Sequence, residues 1–294
     1  MKALAIVVIL AGLARPALAQ GMSYDMKTTA DMIDPRTGKP ATRVFSAGHG
    51  QFANGNARID FTESMMPGGM MAAGSYMIVR NSSPISTFVF PDKRQYLVVN
   101  RDELNKEAAD AQKAVAGVAK TELSGIRVDV QDLGPGESIE GNATVKYRIT
   151  SDYTMNVSVM GHASTSTSHS TTDLWVAPGL DGIMNPMGRQ ASTAGGSMAA
   201  LTEATVKAYA KVRSGVVLKS VMTSESGDEG KRHSTTITMQ ISNLKRTAIS
   251  PAVFEVPEGY VKTEGLGGAM GAMFGDSLAA ARARANGRGT HPPR

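Results

Sequence analysis

Apolar and polar residues alternate with period two along much of the chain, as in Ala57-Arg58-Ile59-Asp60-Phe61 and Val145-Lys146-Tyr147-Arg148-Ile149. Successive side chains of a strand point to opposite faces, so this pattern predicts antiparallel strands with one buried face. The same reading applies to 75–79, 88–90, 95–99, 126–130, 172–176, 216–221 and 234–241. Turn chemistry separates these runs at Asn54-Gly55-Asn56, Pro91-Asp92, Gly134-Pro135-Gly136 and Gly227-Asp228. The result is a meander of strands.

Two segments change to helical spacing. In 102–120, Leu104, Ala108, Ala111, Val115 and Val118 fall on one stripe, with Asp102 placed to cap the start. In 196–213, Met198, Leu201, Ala208, Tyr209 and Val212 form a second stripe. Residues 276–285 are rich in Ala and Arg and run into Gly-Arg-Gly, which favours a frayed tail over a third helix. The Ser/Thr-rich stretch around His162 and His169 reads as a hairpin or loop.

Both ends read as appendages to one β-rich domain at 20–263. Lys2, an apolar run over 3–13 and the small residues of Ala17-Leu18-Ala19 form a signal peptide over 1–19, cut near Ala19. That run is shorter than the roughly 20 residues needed to span a bilayer, and no later segment is apolar enough. Gln20 stands where a lipidated cysteine would follow the cut, and the chain has no cysteine, which removes disulfides and thiolate metal sites. Residues 264–294 form a Gly-rich linker and a basic tail carrying Arg282, Arg284, Arg288 and Arg294. The chain from 20 to 275 is neutral, with 25 residues of each sign, so the net charge of +5 reflects the appendages. A folded body without a basic stripe, with aromatics at 5%, argues against a nucleic-acid partner.

The order of motifs resembles a known group. Gly55 to Asp60, then Gly74-Ser75-Tyr76-Met77-Ile78, then Tyr96 to Asn100 look like the front half of bacterial exported proteins related to the outer-membrane lipoprotein carriers. Gly141 to Tyr147, Asp173-Leu174-Trp175-Val176-Ala177-Pro178 and Val253 to Tyr260 are similar to the back half. The likeness, over roughly 21–262, is to a domain-of-unknown-function family with a Lol-type half-barrel. It implies an α+β, mainly β fold: a curved antiparallel sheet wrapped around two or more helices, leaving an apolar concavity that holds acyl chains in true carriers. It also points to the periplasm, although the signal alone allows secretion. Arg58 matches only a position in the strand pattern.

Candidate chemistry is sparse. Methionine is abundant, at 18 residues, and densest in Met65-Met66-Pro67-Gly68-Gly69-Met70-Met71. Flexible thioethers suit an adaptable apolar lining, so Met65, Met66, Met70, Met71, Met77 and Trp175 are the candidate ligand-binding residues. The same four loop methionines form an alternative soft site for Cu(I). His162, His169 and Asp173 could be imagined around zinc, although a seven-residue spacing is unspecific. No nucleophile elbow, P-loop, dinucleotide fingerprint or His-Glu-x-x-His motif occurs, so neither an enzyme nor a cofactor is expected. Residues 265–271 are Gly-rich but lack a βαβ setting and read as linker. The expected function is non-enzymatic binding of a lipid or other hydrophobic molecule. The alternative is an envelope interaction or stress protein that uses a sheet edge, or uses its Arg-rich tail on a protein or membrane surface.

Overall fold

The computed structural model describes residues 19–263, except 35–36, 66–68, 81–82, 116–118, 160–161, 181–197 and 229–230. Twelve strands form one sheet. The first group is β1 (Ala19–Ile33), β2 (Pro40–Ala53), β3 (Asn56–Ser64), β4 (Tyr76–Arg80), β5 (Ile85–Phe90) and β6 (Gln95–Asn100). The second is β7 (Ala119–Pro135), β8 (Val145–Val159), β9 (His162–Ala177), β10 (Val216–Asp228) and β11 (Lys231–Ile249), followed by β12 (Val261–Thr263). Helix α1 (Arg101–Val115) links the groups, and α2 (Ala199–Tyr209) lies between β9 and β10. Residues 1–18 of the expected signal peptide and the basic tail lie outside the described residues, and Ala19 begins β1.

The spatial order is β12-β6-β5-β4-β3-β2-β1-β11-β10-β9-β8-β7. Two antiparallel meanders therefore meet where β1 pairs with β11, and β12 adds in parallel to β6. β6 and β7 stand ten spacings apart in this order, which at about 4.8 Å each is about 48 Å in a flat sheet. The 15-residue α1 and the few residues flanking it reach about 40 Å at most. The sheet is therefore bent, although its ends do not pair and it is not closed.

This corrects the expected α+β half-barrel around helices. Among the described residues the chain is mostly β, with twelve strands in one unclosed sheet and two α-helices. Strand side chains form the main cluster: Met22, Tyr24 and Met26 of β1, Phe52 of β2, Ile59 and Phe61 of β3, with Met77, Phe88 and Leu97 beyond them. Ile139 and Leu180 join this cluster from loops, and no described side chain of α2 belongs to it. The physical reason is that large aromatic and branched side chains on one face of a bent sheet pack against each other. Helix α2 packs on β7, beside a smaller cluster of Tyr147, Ile149, Leu174 and Val176 that includes Val128, Val130 and Val212.

The opposite face of β4 and β5 is covered by the chain after β11. Phe254 is buried with Tyr76, Ile78 and Val89. Arg58 fastens this strap: its guanidinium lies 3.6 Å from the ring centre of Tyr76, pairs with Asp60 at 2.6 Å and donates to the Val253 carbonyl at 3.1 Å. Further out, β8, β9 and β10 run past the core. From Thr150, Thr171 and Thr223 toward the tips of these strands, no described residue is buried, so this part is a blade with both faces in solvent.

One close approach sets the packing of the main cluster. Gly50 lies opposite Tyr24, and a Cβ there would stand 2.2 Å from the Tyr24 ring. Burial pushes the Tyr24 phenol up to about 12, keeping it neutral. Gly50→Ala should expel the ring and destabilise the fold by about 2 kcal/mol, read as a lower urea midpoint at unchanged slope.

Candidate functional site

The residue types that carry charge and hydrogen-bonding capacity gather on the outer face of β7 to β10, placed there by register. Lys146, Trp175 and Lys219 are direct cross-strand neighbours on β8, β9 and β10. Two residues along, Arg148 faces Asp173; then Thr150, Thr171 and Thr223 align, and then Asp152, His169 and Glu225. Same-face neighbours in adjacent strands stand about 5 Å apart, so each row forms one contact surface.

Trp175 anchors the first row. The Lys146 and Lys219 ammonium groups lie 4.6 and 4.7 Å from its ring centre, within cation–π range. Asp173 accepts from Arg148 Nε at 2.7 Å and Nη2 at 2.8 Å, and pairs with Lys146 Nζ at 2.8 Å. Lys219 also binds Glu137 at 2.7 Å, tying the loop before β8 to the row. The Arg148 hydrogen bonds hold the Asp173 carboxyl below its ordinary value of 3.8, with help from Lys146 and against the opposing effect of burial.

The last row borders a polar hollow of about 330 Å³, lined by Gly125, Asp152, Thr154, Thr167, His169 and Glu225 among others. His169 Nδ1 lies 2.6 Å from Asp152 Oδ1, and Thr171 Oγ1 is 3.4 Å from His169 Nε2. A carboxylate orienting an imidazole beside a hydroxyl has the outline of an acid–base chain. Here the Thr171 contact is long, and both the imidazole and the carboxylate are about half exposed, at 48% and 51%. A second such pair, His49 with Asp25 at 2.9 Å, lies on β2 and β1, where Asn243 of β11 also donates to Asp25 at 2.7 Å. The His49 hydrogen bond leads in holding the Asp25 carboxyl low.

The expected lining residues are placed differently from one another. Met77 is buried in the main cluster; Met70, Met71 and Trp175 pack against it; Met65 is exposed at 36%; and Met66 lies outside the described residues. Ser75 fixes the methionine loop by donating to the carbonyls of Met70 at 3.0 Å and Ala72 at 2.7 Å. Met70, Met71 and Met77 thus meet as packing, with Met77 closed off from solvent. One described hollow, beside His169, is lined mainly by polar residues, and a second, beside β1 and β2, is lined equally by polar residues and by Met32, Ile33, Pro40 and Ala41. The imagined zinc set is not assembled: His162 and His169 alternate to opposite faces of β9, a continuous strand paired antiparallel with β8 where a hairpin or loop was expected. Among the described residues, no three His, Asp or Glu side chains are arranged to hold a metal. Also among them, no helix is long and apolar enough to cross a membrane.

Sequence reasoning missed the Lys146, Lys219, Asp152 and Glu225 neighbours of Trp175 and His169. The only signal was the alternation of Thr165, Thr167 and Thr171 with Ser164, Ser166, Ser168 and Ser170, a period of two in branching rather than polarity.

No protein-family description matches the chain, and no curated protein does. Among solved structures, five chains match. One is from MucB in complex with MucA(peri), at 6% identity and a TM-score of 0.19, covering 78% of this chain and 94% of that one. A TM-score of that size does not establish a shared fold.

The ion pairs of Asp173 set a pH dependence. Its carboxyl is lowered in the folded state, so its contribution to stability is present above about pH 4 and is lost as pH falls through the lowered value. Urea midpoints measured from neutral to acid pH should fall less steeply for Asp173→Asn than for the parent chain in that window.

Proposed function

We propose that this chain is an exported, non-enzymatic binding protein that engages a protein partner of the cell envelope through the outer face of β7 to β10. The observation that carries the reading is the contrast between the two faces. Inside, Tyr24, Phe61 and Met77 occupy the space a hydrophobic ligand would need, each at most 2% exposed. Outside, Trp175, which is half-buried and also packs against the main cluster, and Arg148 stand in adjacent rows beside lysines, carboxylates and a polar hollow. Trp and Arg are the side chains that most often anchor protein interfaces, and rows bearing both signs of charge suit a polar partner better than an acyl chain. Lipid binding in the interior, the role implied by the carrier resemblance, is the less favoured reading because it requires those aromatic side chains to move out. The resemblance still supports export and a binding role.

Native mass spectrometry of the protein isolated from its own envelope separates the two. A protein complex free of stoichiometric lipid is expected, and the double variant His169→Ala, Glu225→Ala should weaken it by at least about 1.4 kcal/mol, or tenfold. A lipid released in equal amount on unfolding, or a complex indifferent to both substitutions, would overturn the proposal.

A further inference from the structure

Among the described residues β7 is the last strand of the sheet and pairs only with β8, so its other edge has no strand partner, although α2 packs against the strand. Such an edge is a template for another strand, and charged side chains and bulges usually keep strangers away. β7 has both, with a bulge between Ser124 and Arg127 where Gly125 takes a φ of +63°. Its charges, however, are arranged in a particular order. Lys120, Glu122, Arg127 and Asp129 are all exposed on one face, while Thr121, Leu123, Ile126, Val128 and Val130 are half-buried. The pairings with β8 agree with this division: Lys120 and Glu122 face Ser158 and Asn156, and Arg127 and Asp129 face Asp152 and Thr150, all on the outer face.

From these observations we infer that β7 pairs antiparallel with β7 of a second copy of this chain, about a two-fold axis between Ser124 and Gly125. In that register Lys120 lies opposite the Asp129 of the other copy, and Glu122 lies opposite its Arg127. On the other face Thr121 meets Val128 and Leu123 meets Ile126. The two charged pairs are of opposite sign and occur twice, and Thr121, Leu123, Ile126 and Val128 meet one another. The bulge lies beside the axis in both copies, and the change of face it introduces is what brings Lys120 and Glu122 to the same face as Asp129 and Arg127 of the other copy. Sliding the register by two residues puts Lys120 against Arg127, or Glu122 against Asp129, which like-charge repulsion disfavours. The self-complementary order thus selects one register as well as one partner. The dimer would join two sheets edge to edge and carry the charged outer face of β7 to β10 across both copies. It goes beyond the partner-binding proposal and stands without it.

Sedimentation of the purified full chain over a range of concentrations tests the inference, with circular dichroism confirming that each variant folds. The parent chain should dimerise. Asp129→Lys, which sets Lys120 against a lysine twice, should weaken the dimer by about tenfold or more, and adding Lys120→Asp should restore it to within about threefold. Because the chain has no cysteine, Ser124→Cys places a single thiol beside the axis, and mild oxidation should give a covalent dimer. A parent chain that stays monomeric at the highest concentration reached, or a dimer unaffected by Asp129→Lys, would overturn it. Failure of the partner-binding experiment would leave these results unchanged, since no ligand takes part.

Discussion

The pairing of β1 with β11 holds the molecule together. It joins residues more than two hundred positions apart, with the Asn243 to Asp25 hydrogen bond spanning a separation of 218. Without it the chain would be two separate meanders, β1 to β6 and β7 to β11, each with two open edges. β1 is hydrogen-bonded on both sides, to β11 and to β2, over most of its length. The side chains it contributes, Met22, Tyr24 and Met26, sit where the two halves of the main core meet. A bulge between Ser23 and Asp25 in the β11 pairing lies beside Tyr24, at the same level at which Gly50 clears space for its ring. The cost of closing so long a loop is met only when this core forms, which ties the assembly of the two meanders together.

The bend of the sheet follows from that seam and from the short span of α1. Once strands fill their own concave side, the places left for recognition are the outer face and the free edge. This explains why the residues of strongest chemical character lie outside, in rows across β8, β9 and β10. Three of the candidate methionines, Met70, Met71 and Met77, are part of the packing. Met70 and Met71 lie on a loop held by Ser75 and close over the core, while Met77 is inside it.

The blade beyond Thr150, Thr171 and Thr223 is stabilised differently from the core. With no buried face, it depends on ladder hydrogen bonds and on cross-strand pairs such as Thr223 with Thr236 at 3.2 Å and Thr165 with Asn156 at 2.8 Å. Threonine suits this setting because its branched Cβ fits the pleat while its hydroxyl bonds to a neighbour. Sheet regions of this kind open more readily than a packed core, so the outer face is expected to be the more adaptable part of the molecule.

By itself, the sequence determined where most strands and both described helices lie, because hydrophobic periodicity is a local property. The runs around Ile59, Tyr147, Trp175 and Leu218 fall in β3, β8, β9 and β10, and the Asn54-Gly55 turn joins β2 to β3 with both residues at positive φ. The helix expected over 102–120 is α1 and that over 196–213 is α2. It missed β1, β2 and the outer half of β9, where glycines and alternating Ser and Thr give no contrast between apolar and polar positions. Tertiary structure alone decided the order of strands, the seam between β1 and β11, the filling of the interior by aromatic side chains and the rows that join Lys146 to Trp175 and Lys219. These depend on pairing between distant segments, and register is a relation between strands that no single segment encodes.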